Sequence, residues 1–127
     1  ALMAKLKGAG GIIVDGAITD KIAIYNMELP VFAKNVSALS TRLLGISGEI
    51  NTRIQCGGVT VNPGDIIFGD DDGVVVFSPE KADEILEKAK QSEMREVKLR
   101  NKLLKGELLA DLSGATELVE KHLQKNN

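Results

Sequence analysis

Short runs of β-branched residues, closed by glycine, proline or acidic residues, recur along the first half of the chain. The first run, 12–14, lies between glycines and is followed by Asp15, Gly16 and Asp20. A run this short with such flanks predicts a buried strand rather than a helix. Open α/β sheets bind ligands beyond the carboxyl ends of their strands. The residues after this run are therefore the first candidates for chemistry, and Gly16 allows a sharp turn or a close approach there.

The same pattern predicts five further strands, at 31–33, 50–55, 59–61, 66–68 and 74–77. Turn signals separate the later strands, which are expected to form a small, largely antiparallel unit. Asn62 to Asp65 has proline and glycine at the second and third turn positions, and Asp70 to Gly73 is a tight acidic turn. Residues 21–27 predict a short helical turn. Residues 34–48, rich in serine, threonine, asparagine and glycine, predict a long loop of the kind that is usually functional or at an interface.

A helical segment is expected to follow the strands. Ser78 is a good N-cap and Pro79 suits the first helical position, so a helix is predicted over 79–105, with a second amphipathic segment after Gly106. The apolar stripe of the long helix is dilute, which is typical of a helix that packs against a partner subunit. We therefore divide the chain into an α/β core, 1–78, and a C-terminal helical segment, 79–127, that packs on the core or on a neighbouring subunit.

Composition narrows the classes of function. The 127 residues carry a formal net charge of −2 and only 3% aromatic residues. These values argue against a basic nucleic-acid footprint and against stacking platforms for single strands. No apolar run is long enough to predict a membrane span. Cys56 is the single cysteine, which favours a reducing compartment, so we expect a cytoplasmic protein with no nucleic-acid or membrane partner.

Several residues have both a chemical and a structural interpretation. Asp20 is a candidate Mg²⁺ ligand, or simply the N-cap of the helical turn that follows it. Asp15 is expected to be a turn residue. The acids at 70–72 are interpreted as a hairpin turn rather than a metal site. Cys56 is expected to be a buried structural thiol, since no histidine is placed to activate it. Arg42 and Arg53 could meet an anionic substrate, and a surface role is the default for both.

Four stretches, in order and with their spacing kept, resemble the RraA-like family: Gly10 to Asp20, Leu29 to Ala33, Cys56 to Asp65 and Asp70 to Val76. The resemblance covers about the first ninety residues. It implies a β/β/α swivelling-domain fold, similar to phosphohistidine domains, with a long C-terminal helical extension and assembly as a homo-oligomer, a trimer. The family also has a Gly-Glu-Leu segment that would precede Ala1, so the N-terminal part of the family fold is expected to be missing here.

The resemblance also assigns roles to individual residues. Asp20 matches the Asp that binds the divalent metal, Mg²⁺ or Mn²⁺, and is the expected catalytic residue. Thr19 stands where the family has the Arg that holds the substrate carboxylate, and Ala23 stands where it has a further acid. Thr19 and Gly16 are the expected substrate-binding positions. Thr19 cannot supply the cationic fork of an arginine.

Two functions follow from the resemblance. The first is a metal-dependent (class II) aldolase or decarboxylase acting on small 2-oxo acids such as 4-hydroxy-4-methyl-2-oxoglutarate or oxaloacetate, impaired by Thr19. The second is a non-catalytic regulator or assembly unit that acts through protein contacts, as family members that inhibit an RNA-degrading endonuclease do. The loss of the arginine favours the second function, whereas Asp20 and its surrounding glycines favour the first.

Overall fold

The computed structural model describes residues 1–125, so the last two residues of the predicted helical segment lie outside the described part of the chain. The chain divides into two compact units, Ala1–Glu80 (unit 1) and Lys81–Asn127 (unit 2). Unit 1 contains all the described strands and unit 2 is helical, which makes the protein mixed α/β as predicted. No helix within residues 1–125 combines the length and the apolar character needed to cross a bilayer.

Unit 1 has two short helices and three two-stranded sheets. The helices are α1 (Leu2–Leu6) and α2 (Lys21–Tyr25). The strands are β1 (Ile12–Ile18), β2 (Val31–Val36), β3 (Ile54–Cys56), β4 (Val59–Val61), β5 (Ile66–Asp70) and β6 (Gly73–Phe77).

Strands β1 and β2 pair in parallel, and α2 lies in the connection between them. Successive residues of β1 alternate between half-buried and exposed, as expected for a strand with one covered face. The predicted strand ended at residue 14, and this boundary was wrong. The pairing instead shifts between Val14 and Ala17, so β1 takes up one extra residue in a bulge and continues to Ile18. Asp15 and Gly16 are therefore inside the strand, and the prediction of Asp15 as a turn residue was also wrong.

The other strands form two antiparallel hairpins, as predicted. In β3–β4 the two-residue loop is Gly57–Gly58, and both glycines are left-handed, with φ of 60° and 81°. Such a loop matches the twist of the strands that it joins. The loop of β5–β6 is Asp71–Asp72, in which the Asp72 amide donates to Asp70 Oδ1 over 2.9 Å.

The predicted turn at Asn62 to Asp65 is also confirmed. The Asp65 amide donates to the Asn62 carbonyl over 3.1 Å, and the Asn62 amide donates to Asp65 Oδ2 over 2.8 Å. Gly64 has φ of +91°, the positive value that a type II turn requires at its third position.

Two boundaries around the long loop were wrong. Strand β2 runs on to Val36, and residues 49–53 form no strand, so the loop spans 37–53 rather than 34–48. Alternating polar and apolar residues predicted a strand from residue 50, but Ile50 is 93% exposed. Antiparallel pairing with β4 begins only at Ile54, because the partner strand is three residues long. Because β4 is short, residues 50–53 have no strand within residues 1–125 with which to form backbone hydrogen bonds.

Unit 2 begins with a long helix. Pro79–Lys81 form a single 3-10 turn, followed by α3 (Ala82–Leu103), α4 (Leu109–Leu112) and α5 (Ala115–Lys125). The long helix and the second helical segment were therefore predicted correctly, except at the start. Ser78 is not the N-cap of the α-helix, because the first turn is of the tighter 3-10 type and the cap position falls on Lys81.

Candidate active site at the end of the first strand

Asp20 lies just beyond the carboxyl end of β1, in the N-cap position of α2. Its backbone is left-handed, with φ of 54° and ψ of 40°, and its side chain makes no capping hydrogen bond. The structural interpretation of Asp20 is therefore right about position but not about the interaction. Aspartate is among the few residues that tolerate this conformation. The exposed carboxylate is left free to bind something else.

Gly16 and Thr19 are the other predicted site residues. Gly16 lies in β1, and Thr19 lies in the turn that follows β1. Thr19 Oγ1 is 3.4 Å from Asp20 Oδ2, so the hydroxyl can hold one orientation of the carboxylate. Gly16 is half-buried in the bulge of β1, where an added Cβ would make only an ordinary contact with the Val14 side chain, at 3.8 Å. Protein packing alone therefore does not require a glycine at this position. The roles of the three residues in binding stay predictions.

A second charged group lies within β1 itself. Asp15 forms an ion pair with Lys34 of β2, across the bulge. The hydrogen bond from Lys34 lowers the pKa of Asp15, and the backbone amide of Gly57 lowers it further. In turn Asp15 raises the pKa of Lys34. Both groups are therefore charged at neutral pH, and the pair joins β1 to β2 where the strand pairing is irregular.

A depression of about 940 Å³ lies between the parallel strands and the two hairpins. The Asp15–Lys34 pair and Cys56 line it, together with apolar side chains of the hairpin strands such as Val75. Cys56 is half-buried, so the prediction of a buried thiol was only partly right. The charged groups on its lining are the ion pair and, from the β5–β6 hairpin, Asp70 and Asp71.

The available ligands decide whether a divalent metal fits this site. Within residues 1–125, no three side chains of His, Cys, Asp or Glu come together as a metal site. Mg²⁺ keeps several waters in proteins and is often held by one or two carboxylates together with the substrate. The single free carboxylate of Asp20 fits such a water-rich site, and no closed cage is built around it.

The remaining candidates do not join this site. Asp70 and Asp72 close the β5–β6 hairpin, which confirms the interpretation of these acids as a turn. Arg42 and Arg53 both lie in the irregular segment 37–53 and are exposed. The one side-chain hydrogen bond of Asp20 seen within residues 1–125 is with Thr19.

Comparison with known proteins identifies the family. The sequence profile described as RraA-like, Aldolase/RraA, matches residues 1–76, which is more than half of the chain. The chain belongs to the RraA-like family. The resemblance drawn from the sequence motifs is thereby confirmed.

Several relatives of this RraA-like chain have been curated. An uncharacterized protein of Methanocaldococcus jannaschii is 44% identical over 112 residues, which are 88% of this chain and 53% of that protein. A protein of Halalkalibacterium halodurans with the provisional name 4-hydroxy-4-methyl-2-oxoglutarate aldolase is 42% identical over 91 residues. That match covers 72% of this chain and 43% of the relative. The RraA-like chain thus spans about half the length of the curated relatives that it matches.

One solved structure shares the fold. An uncharacterized protein from Pseudomonas syringae pv. tomato superposes with a TM-score of 0.71 at 24% identity, over 87% of this chain and 55% of the other. At this level of identity the likeness concerns the fold alone.

Two lysines near the site were missed in the sequence. The sequence pattern predicts Lys34 in a loop, and it carries no signal for the pairing of Lys34 with Asp15 across two strands. Lys21 follows Asp20 directly and precedes Tyr25 by four residues, the spacing that puts two side chains on one helical face. That spacing could have identified Lys21 and Tyr25 as a pair.

Proposed function

We propose that this RraA-like protein is a divalent-metal-dependent lyase that cleaves a carbon–carbon bond of small 2-oxo acids, of the 4-hydroxy-4-methyl-2-oxoglutarate or oxaloacetate type. The observation that carries the proposal is the free, exposed carboxylate of Asp20 beyond the carboxyl end of β1. The aldolase name of the Halalkalibacterium halodurans relative, and of a second relative from Aromatoleum aromaticum that is 46% identical over 66 residues, supports the lyase class.

In this proposal Asp20 holds Mg²⁺, or Mn²⁺, with water as most of the remaining ligands. When bound, the metal supplies positive charge that stabilises the negative charge developing on the 2-oxo oxygen as the carbon–carbon bond breaks. The left-handed backbone sets the direction in which the Asp20 side chain leaves the main chain, and the hydrogen bond from the Thr19 hydroxyl restrains the rotation of the carboxylate. Gly16 lies in β1, ahead of this turn, and in this proposal its missing side chain lets the substrate approach the backbone.

Thr19 limits the activity that we expect. A charge-assisted hydrogen bond to the substrate carboxylate is worth about 1.5–3 kcal/mol, or about one to two decades in affinity. Threonine cannot form that contact, so cleavage should be slow unless another cation takes its place.

We further propose a homo-oligomer, a trimer, in a swivelling-domain arrangement within the cytoplasm. Large apolar side chains on the strands support assembly, since Phe68 of β5 is 61% exposed and Val75 of β6 is 56% exposed. Surfaces of this kind are usually covered by a partner. Analytical ultracentrifugation of the wild type should show a trimer at micromolar concentration, and a monomer there would contradict assembly.

The activity test is an oxaloacetate decarboxylation assay with Mg²⁺ on the wild type, Asp20→Ala and Thr19→Arg. We expect metal-dependent turnover by the wild type, loss of that turnover in Asp20→Ala with the circular dichroism spectrum retained, and about a tenfold or larger gain in Thr19→Arg. Full activity of Asp20→Ala would remove Asp20 from the mechanism. If the wild type and both variants are folded and none is active, the result would favour the non-catalytic regulator or assembly unit. The threonine at position 19 also favours that alternative.

A further inference from the structure

A groove of about 530 Å³ lies beside the end of β1 and is distinct from the larger depression lined by Asp15. Its volume falls within the range of small-molecule sites in proteins, about 300–1,000 Å³. Its walls are mostly apolar and come from the end of β1, from α2 and from β2; they include Ile18, Ile24, Leu29 and Val31. Leu29 is 8% exposed, and no other side chain described in residues 1–125 is a buried apolar one. The groove is therefore lined by the one buried apolar side chain of unit 1.

A few polar side chains converge on this apolar groove. Lys21 and Tyr25 line it from α2 and Asn35 lines it from β2. Lys21 and Tyr25 are one helical turn apart, so both side chains are on the same face of α2. An ammonium, a phenol hydroxyl and an amide are all hydrogen-bond donors. An apolar groove with three such groups suits a small organic acid, with its carbon chain on the walls and its carboxylate on the donors.

Charge also favours an anion. Two lysines, Lys21 and Lys34, and one acid, Glu28, line the groove. Lys34 is already paired with Asp15. Within unit 1, no ion pair engages Lys21, and the Tyr25 side chain is 81% exposed. Lys21 is therefore the cation available to a ligand, and the anion must bind on the Lys21 side of the groove, away from Glu28.

The groove lies next to the turn that contains Asp20. Ile18 and Lys21, which flank Thr19 and Asp20 in sequence, both line it. A ligand whose carboxylate rests on Lys21 is thus held beside the turn that carries the free Asp20 carboxylate. Lys21 provides there the positive charge that Thr19 lacks.

From this arrangement we infer that Lys21 and Tyr25 bind the carboxylate of a 2-oxo acid in the groove between α2 and β2. The inference rests on the proposed function for the choice of a 2-oxo acid. It goes further by naming the residues that hold the acid and the groove that receives its carbon chain. Lys21 is a binding residue in this scheme, and Asp20 remains the candidate metal ligand.

The test measures binding without turnover. Isothermal titration calorimetry with 2-oxoglutarate, a stable 2-oxo acid, compares the wild type with Lys21→Met, Lys21→Arg and Tyr25→Phe. Lys98→Met is the matched control, because Lys98 is an exposed lysine on α3 in unit 2. Melting temperatures establish that each variant is folded.

We expect Lys21→Met to raise Kd about ten- to a hundredfold, Lys21→Arg to stay within about threefold, and Tyr25→Phe to raise Kd by several-fold. Lys98→Met should bind like the wild type. In the decarboxylation assay, Lys21→Met should raise KM for oxaloacetate by a similar factor with a smaller change in kcat, because a binding contact acts in the ground state as well.

The outcomes separate the two proposals. Equal 2-oxoglutarate binding by the wild type, Lys21→Met and Tyr25→Phe would overturn this inference and leave the lyase proposal standing. Binding that depends on Lys21 in a protein without any turnover would support the groove and count against the lyase. Absence of 2-oxoglutarate binding by the wild type would overturn the groove assignment. Competition by inorganic phosphate at equal affinity would make the groove a general anion site, which also contradicts the inference.

Discussion

The parallel pair β1–β2 and the hairpins β3–β4 and β5–β6 are built in opposite ways. Each hairpin joins strands that are adjacent in the chain through a loop of two residues. The parallel strands are separated by α2 and depart from regular geometry twice, at the bulge of Asp15 and Gly16 and at the left-handed Asp20. Asp70 accepts a hydrogen bond that closes the β5–β6 hairpin, whereas the Asp20 side chain makes no capping bond and, within residues 1–125, accepts only from the neighbouring Thr19 hydroxyl.

This difference indicates where chemistry can reside. A hairpin acid such as Asp70 is occupied, because its carboxylate accepts a backbone hydrogen bond that holds the loop. At the irregular points of the parallel pair the acids make no bond that holds a turn: Asp15 pairs with a lysine on the next strand, and Asp20 makes no capping bond. Candidate functional groups therefore lie where a parallel connection forces the backbone away from regular structure.

The largest effect is expected where the two regions meet. Gly69 of β5 lies against the ring of Phe32 on β2, and an added Cβ would come within 2.8 Å of that ring. Gly69→Ala should therefore lower the free energy of unfolding by about 1–3 kcal/mol, measured by urea denaturation, because the ring must move out of a packed position.

The control for this prediction is Gly10→Ala, since nothing lies within 4 Å of a Cβ there. That variant should be neutral or slightly more stable. Phe32→Leu combined with Gly69→Ala should recover part of the loss, as expected for residues in contact. Additive effects of the two substitutions would show that the hairpin and the parallel pair are not packed through these residues.

A smaller effect is expected within a hairpin alone. Gly57 has φ of 60°, so Gly57→Ala forces a side chain into the left-handed region and should cost about 1 kcal/mol of unfolding free energy. Gly57→Asn should cost less, because asparagine tolerates this conformation. Equal losses in the two variants, measured in the same urea titration, would mean that the strain at φ is not the cause.

The smallest effect should come from the exposed ion pair in the parallel pair. The pKa of Asp15 is lowered in the folded state by Lys34, so the pair stabilises the protein above the ordinary carboxylate pKa of about 4 and this contribution is lost as the pH falls through the folded value. Asp15→Asn should therefore lower Tm slightly at pH 7, and the difference from the wild type should shrink at pH 3.

Lys34 gives the corresponding limit at high pH. Its raised pKa means that the contribution is present below the usual lysine value, about 10.4, and fades as the pH rises above it. Asp71→Asn is the control, because Asp71 is exposed in the hairpin loop. A Tm difference for Asp15→Asn that is the same at pH 3 and pH 7 would contradict an electrostatic origin.

Sequence reasoning succeeded where structure is set locally. The turns at Asn62 to Asp65 and at Asp71 and Asp72 follow from glycine, proline and aspartate chemistry. The hairpin strands β4, β5 and β6 were placed within two residues. It failed where the answer depends on a distant partner. The bulge that moves Asp15 into β1 exists only in the pairing with β2, and residues 50–53 look like a strand but have no partner.

The site divides in the same way. Asp20 was found because the end of a strand is visible in sequence, and the missing capping bond was not visible because it depends on a left-handed backbone. The Asp15–Lys34 pair joins residues nineteen positions apart, on strands whose parallel register no local pattern specifies.

The two-residue loop at Gly57 and Gly58 also has a consequence for the order of events during folding. Hairpins closed by such loops form in about 1–10 μs, whereas parallel pairing must first close a longer crossover. The β3–β4 ribbon can thus be present before β1 meets β2. A substitution at Gly57 should slow the folding rate, whereas one at the end of β1 should mainly hasten unfolding. The groove beside Asp20 would then be among the last features to form and the first to open.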